Sequence, residues 1–214
     1  LHCIQKNALQ LAKSPLQIQT VSNPLRSFVA IPICADSAPE AYTFLLSRRE
    51  RLLSGSWARR VRWANPEHYH LTVHFLGQIE VEETAEWLTQ LEHALRNIKP
   101  FELTMNAPCL FPRISRAKLV ACPIEPHPEL KRLRRIVQTV CSPLAGNEEQ
   151  ESKHIPYRAH ATLGRIRRTG NGGKAPNLPS FPGSVSLPAG QLDIMASFPC
   201  EEGVRHEIVR RIVL

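Results

Sequence analysis

The chain has 214 residues, 27 Lys and Arg against 19 Asp and Glu, and a formal charge of +8 at pH 7. That length buries a sizeable core in one medium domain, or in two small lobes that share one. Hydrophobic residues at 43% and charged residues at 21% exclude wholesale disorder and a collagen-like chain. No apolar run approaches the ~20 residues that a membrane-spanning helix needs. A basic balance favours polyanionic partners such as nucleic acid or nucleotides, without yet indicating any chemistry.

The first 25 residues hold two Lys, no Arg and no acid, and lack a secretory-type apolar centre. They are read as an N-terminal extension, residues 1–25, ahead of a single domain spanning 26–214. From Arg26 the pattern becomes regular. Ser27 to Ile33 is a short apolar run and predicts a buried strand. Ala38 to Leu53 places Ala38, Ala41, Phe44, Leu45 and Leu52 at helical spacing, with Arg48, Arg49 and Arg51 mostly on the wet side. Tyr69 to Leu76 alternates like a strand and meets Gly77. Glu82 to Ile98 returns to the helical period, and Pro100 stops it.

The second half restates this plan. Strands are predicted at Phe101–Met105 and Lys118–Ile124, and an amphipathic helix at Pro128–Cys141. Three further strands follow at Ala159–Leu163, Gln191–Phe198 and Val204–Val213. Gly146–Pro156 and Thr169–Pro188 are rich in Gly, Pro, Ser and Asn and predict surface loops. Strands interleaved with two or three helices point to an α+β fold rather than a doubly wound parallel one. The six cysteines are scattered, with no C-x-x-C pair. They read as reduced thiols of a cytosolic protein, and supply no zinc template.

One short pattern occurs twice, as His70-Leu71-Thr72-Val73 and as His160-Ala161-Thr162-Leu163. Residues two apart in a strand share a face, about 6.5–7 Å along the chain. Each copy therefore shows a His and a Thr together, while the apolar residues between them turn to the core. Side by side, two such strands line a cleft with two imidazoles and two hydroxyls. Opening a cyclic phosphodiester with water needs that set. One base deprotonates water, one acid protonates the departing ribose oxygen, and imidazole serves as either near neutral pH. Thr72 and Thr162 can donate to the non-bridging phosphate oxygens, and the arrangement demands no metal or other cofactor.

These paired motifs resemble the 2H phosphoesterase superfamily. Their flanks are similar to its RNA 2′,3′-cyclic phosphodiesterase branch, the 2′-5′ RNA ligase-like proteins. The flanking residues are Arg26 to Pro32, Val61-Arg62-Trp63, Tyr69 to Gly77, Phe111-Pro112, and His160 to Arg165. Ala159 and Ala161 depart from it, since the family often carries Pro and a larger apolar residue there. The resemblance implies a bilobal fold with two antiparallel sheets, flanked by helices, around a central cleft to which each lobe brings one motif. It implies hydrolysis of 2′,3′-cyclic phosphate ends to 2′-phosphomonoesters, with His70 as proton donor to the leaving 3′ oxygen and His160 as the base. It also places Arg165 near the phosphate, although strict alternation from His160 points Arg165 away unless the strand bends at Gly164. The implied ligands are RNA ends or small cyclic nucleotides, for a monomer. A nucleotide-binding module without turnover, or 2′-5′ RNA ligation in the same cleft, is the alternative.

Other features carry weaker expectations. His68, His70 and His74 share strand parity but span about 20 Å, too far to close on one ion. His74 either meets substrate or is merely solvated. Gly170 to Ala175 reads as a turn-rich loop rather than a phosphate loop. Arg48 to Arg51 with Arg59 to Arg62, and Arg165 to Arg168, adjoin the histidine motifs and are candidates to track an RNA backbone; Lys131 to Arg135 reads as a wet helix face. Trp63, Tyr69 and Phe111 are candidate base-stacking aromatics, with core packing expected for at least one of them.

Overall fold

The computed structural model describes residues 25–79, 84–142, 156–167, 178–200 and 203–214. The expected extension except Leu25, the expected loop Gly146–Pro156 except Pro156, and Gly170 to Ala175 therefore lie outside the described residues.

Among the described residues, three α-helices and ten strands follow in order: β1 Leu25–Pro32, α1 Pro39–Leu53, β2 Val61–Trp63, β3 His70–Ile79, α2 Thr84–Leu95, β4 Phe101–Asn106, β5 Cys109–Phe111, β6 Leu119–Pro123, α3 Pro128–Cys141, β7 His160–Ile166, β8 Ser184–Ala189, β9 Gln191–Cys200 and β10 Gly203–Val213. One antiparallel sheet of eight strands runs β10-β9-β1-β3-β7-β6-β5, with β2 also on β7; β4 and β8 form a separate pair. The α+β class and the two antiparallel sheets stand as expected, but both histidine strands belong to the same sheet. They meet at one pair, Leu71 with Ala161, where the two lobes join. Among the described residues, no helix is long and apolar enough to cross a membrane.

Alternation sets which face is buried. Val29, Ile31, Leu71, Val73, Val120, Cys122, Ala161, Leu163 and Ile194 turn to one side. There they pack with Ala41, Leu45 and Leu52 of α1, Leu91 and Leu95 of α2, and Leu130, Leu133 and Val137 of α3. Each such side chain contributes roughly 1.5–3 kcal/mol when fully buried. The other face of the sheet holds a small apolar cluster, Phe28, Ala30 and Met195.

The two lobes repeat one unit of strand, helix and strand. Val29-Ala30-Ile31-Pro32-Ile33 leads to α1 and then the His70 strand; Val120-Ala121-Cys122-Pro123-Ile124 leads to α3 and then the His160 strand. Both helices begin Pro-Glu, with proline in the first turn where its missing N–H costs nothing and the acid meets the positive end of the helix dipole.

Several boundaries differ from expectation for local reasons. The stretch expected as a loop up to Pro188 contains β8, whose Leu187 and Ala189 are buried against β4. The short strands β2 and β5 have too few residues to show a period. β3 continues past Gly77 to Ile79, because Gly77 adopts φ 76° beside a bulge at Leu76 and bends the strand rather than ending it. Cys34, Cys109, Cys122 and Cys141 are free thiols.

Candidate active site

The register at Leu71 and Ala161 sets His70 across from Thr162 and Thr72 across from His160, all four on the face away from the helices. Histidines and threonines thus alternate around a four-sided patch, with the two histidines on a diagonal of roughly 7–8 Å, somewhat less between Cβ atoms. The outer neighbours are matched as well. His70 pairs with Pro32 and His160 with Pro123, while Thr72 pairs with Ala30 and Thr162 with Ala121. Small residues beside each threonine keep its hydroxyl accessible from the cleft.

Each histidine is anchored in the same way. His70 Nδ1 lies 2.7 Å from the carbonyl oxygen of His68, and His160 Nδ1 lies 2.7 Å from that of Arg158. A carbonyl only accepts, so Nδ1 carries the proton and donates in both rings, which leaves Nε2 bare in the neutral form. An aromatic ring backs each imidazole: Phe28 at 4.8 Å from His70, and Phe111 stacked at 4.2 Å on His160. Arg158 lies over the Phe111 ring and donates to the Pro112 carbonyl. Burial pushes the His70 imidazole down to about 4, against the opposing pull of the His68 carbonyl, with His206, His68 and His160 adding to the fall. Burial also lowers His160, assisted by the charges of Arg158 and Arg165.

A bulge follows each threonine. On β3, Thr72 pairs with Ala30 and His74 with Val29, leaving Val73 extra; on β7, Thr162 pairs with Ala121 and Gly164 with Val120, leaving Leu163 extra. The extra residue reverses the alternation beyond it. On β7 it brings Arg165 back to the histidine face, where it is exposed, in register with the exposed Arg62 of β2, and close enough to act on the ionisation of both His160 and His206. The bend relies on Gly164, since a Cβ there would run into Val61 and fall 2.8 Å from the Arg62 carbonyl. On β3 the same shift turns His74 inward, to 6% exposure, so His74 neither meets substrate nor is solvated. The matching position on the histidine face is Phe75, 68% exposed.

The cleft also contains residues that the sequence did not single out. His206 of β10 stands edge-on to His70 at 5.6 Å and to His68 at 5.8 Å. Tyr157 donates its hydroxyl to the Thr72 carbonyl at 2.9 Å, tying the approach to the second motif onto the first, and Arg134 of α3 covers its ring. Among the three expected stacking aromatics, Tyr69 and Phe111 are buried, and Trp63 is half-buried with its indole N–H on the Ala58 carbonyl. The α1 arginines serve the scaffold rather than the cleft: Arg48 holds the Pro182 carbonyl and Arg51 covers Phe181. Among the described residues, no group of three or more His, Cys, Asp or Glu is arranged to hold a metal ion.

Comparison with known proteins agrees with this fold. Residues 39–122 match the family described as LigT like Phosphoesterase. An RNA 2′,3′-cyclic phosphodiesterase of Archaeoglobus fulgidus is 27% identical over 146 residues, which cover 67% of this chain and 74% of the relative. Among solved structures, TT0787 of Thermus thermophilus superposes with a TM-score of 0.73 at 20% identity, covering 89% of this chain and 98% of that one. Escherichia coli LigT complexed with 3′-AMP gives a TM-score of 0.66 at 18% identity, covering 89% and 98%. The sequence of the first lobe thus matches a LigT-like phosphoesterase model, and the fold is similar to that of LigT.

Proposed function

We propose that the protein hydrolyses the 2′,3′-cyclic phosphate of RNA ends or small cyclic nucleotides to a 2′-phosphomonoester, with no metal ion taking part. The observation that carries this reading is the matched pair of imidazoles, each with Nδ1 committed to a backbone carbonyl and Nε2 left for chemistry beside a threonine hydroxyl. His160 Nε2 takes a proton from water as the water oxygen bonds to phosphorus. The phosphorus–O3′ bond breaks, its electron pair leaves with O3′, and His70 delivers the proton that O3′ requires. Each positioned group supplies roughly 10²–10⁴-fold. Thr72 and Thr162 donate to the non-bridging oxygens, and Arg165 with Arg62 adds positive charge where the phosphorane-like state is most anionic. Phe75 presents an exposed ring on the same face, where a base can stack.

In the free protein both imidazoles are held below their ordinary range, so the proton on His70 is favoured only once the phosphodiester anion lies against it. An RNA oligonucleotide ending in a 2′,3′-cyclic phosphate, incubated in EDTA and analysed by phosphorus NMR, tests the reading. The expected product is the 2′-phosphate. A 3′-phosphate as sole product reverses the roles of His70 and His160, and joining to a 5′-hydroxyl end in place of hydrolysis identifies a ligase.

A further inference from the structure

On the His70 side the cleft does not end at Phe28. Phe28 meets both His70, at 4.8 Å, and His206, at 5.1 Å, and His206 in turn contacts His68 and His70, so that three imidazoles gather beside it. The three come from β3, from the single 3-10 turn Pro66–His68 before it, and from the last strand. His206 Nδ1 lies 3.2 Å from Ser197 Oγ, which fixes the plane of the ring. Ser197 is in register with Arg26 as well, so an exposed guanidinium shares this face. The acids of the last two strands are engaged elsewhere: Glu207 pairs with Arg205 at 2.6 Å, and Asp193 with Arg211 at 2.7 Å.

The proton transfers above use His70 and leave His68 and His206 without a part. Three imidazoles on the same face as a guanidinium, with these carboxylates turned to other partners, form a cluster of N–H groups to which an anion can bind. Its position says which anion. His70 serves the leaving 3′ oxygen, so the ribose lies on the His70 side and the attacking water on the His160 side. In an RNA, the 5′ oxygen of that same ribose carries the next phosphodiester; in a free cyclic mononucleotide it carries only a proton.

We propose that His206 and His68 bind the phosphodiester on the 5′ side of the terminal ribose, so that the enzyme selects a cyclic phosphate at the end of an oligonucleotide over a free cyclic mononucleotide. This rests on the proposed reaction and on His70 as its donor. Hydrogen bonds to a charged group are worth enough for a preference of roughly tenfold or more.

The test compares kcat/KM on three substrates: cytidine 2′,3′-cyclic phosphate, the dinucleotide CpC ending in the same cyclic phosphate, and that dinucleotide with an uncharged methylphosphonate linkage. The natural dinucleotide should be preferred tenfold or more, through KM, and the methylphosphonate should lose that preference in the unmodified protein. His206→Phe, which keeps a ring against Phe28 but has no N–H, should bring the dinucleotide-to-mononucleotide ratio close to one; His206→Gln, which keeps an N–H, should restore part of it. An unchanged ratio in His206→Phe with both substrates slowed alike, or a methylphosphonate used as well as the phosphodiester, overturns the inference. A protein that opens none of the three overturns the proposed reaction itself.

Discussion

Burying a histidine that must stay available for protons carries a stability cost with a definite pH signature. His70 is held near 4 in the folded protein by burial, whereas an unfolded chain holds a histidine near the ordinary 6.5. Below 6.5 the unfolded state therefore binds a proton that the folded state refuses, and stability falls as pH falls through that window. Integrating between those two values gives a loss of about 2 kcal/mol on going from pH 7 to pH 5, and a limit of about 3 kcal/mol below pH 4. His70→Gln removes the titrating group while keeping an amide that can donate to the His68 carbonyl. Urea unfolding of the two proteins at pH 7 and at pH 5 isolates this contribution, because the remaining groups cancel in the difference. The variant should gain about 2 kcal/mol on the parent over that interval, or about 4–8 °C in Tm for a chain of this size. A difference that stays constant from pH 7 to pH 5 refutes the burial of His70 as the source of its lowered ionisation.

Three other outcomes follow from the same structure. Because burial lowers both His70 and His160, and the reaction needs one proton on the pair, kcat/KM should peak below pH 6.5, falling on the alkaline side as the pair loses that proton and on the acid side as it takes up a second; a profile flat from pH 5 to 9 contradicts the histidine pair. Gly164→Ala should force β2 and β7 apart and displace Arg165, costing at least tenfold in kcat/KM; activity equal to the parent would show that the close approach at Arg62 is not needed. Arg211→Ala strips Asp193, 1% exposed, of the guanidinium that holds both its oxygens, and should cost about 3 kcal/mol in urea unfolding at pH 7, against no measurable loss if the pair were a surface one.

Much of this molecule can be read from its residues in order. The apolar period of α3 and the Pro-Glu at its start mark it to the residue, and the two His-x-Thr strands lie side by side, as their chemistry requires. What alternation misled on, the bulges explain. Counting by twos from His160 sends Arg165 away from the cleft, and counting from His70 puts His74 on it; one extra residue at Leu163 and at Val73 reverses both. Gly164 was the visible sign on one strand, and the Val-Ala-x-Pro-Ile repeat was a second sign that the lobes share one plan. His206 and Tyr157 reach the cleft from elements distant in sequence, by way of sheet curvature and a side-chain hydrogen bond, and no local period reports either. Of the three aromatics beside the motifs, Tyr69 and Phe111 took the packing role expected for at least one of them, because an apolar ring beside a motif packs under its histidine, as Phe111 does, more readily than it waits in solvent.

The central claim is that His70 and His160 together open a cyclic phosphodiester by acid and base catalysis. Its most direct test is single-turnover hydrolysis of an RNA end bearing a 2′,3′-cyclic phosphate, in EDTA, by the parent protein, His70→Ala, His160→Ala and the double variant. Each single variant should lose roughly 10²–10⁴-fold, and the double variant should be little worse than either one, as expected for groups that act as a unit. Full activity retained in both single variants would contradict the account.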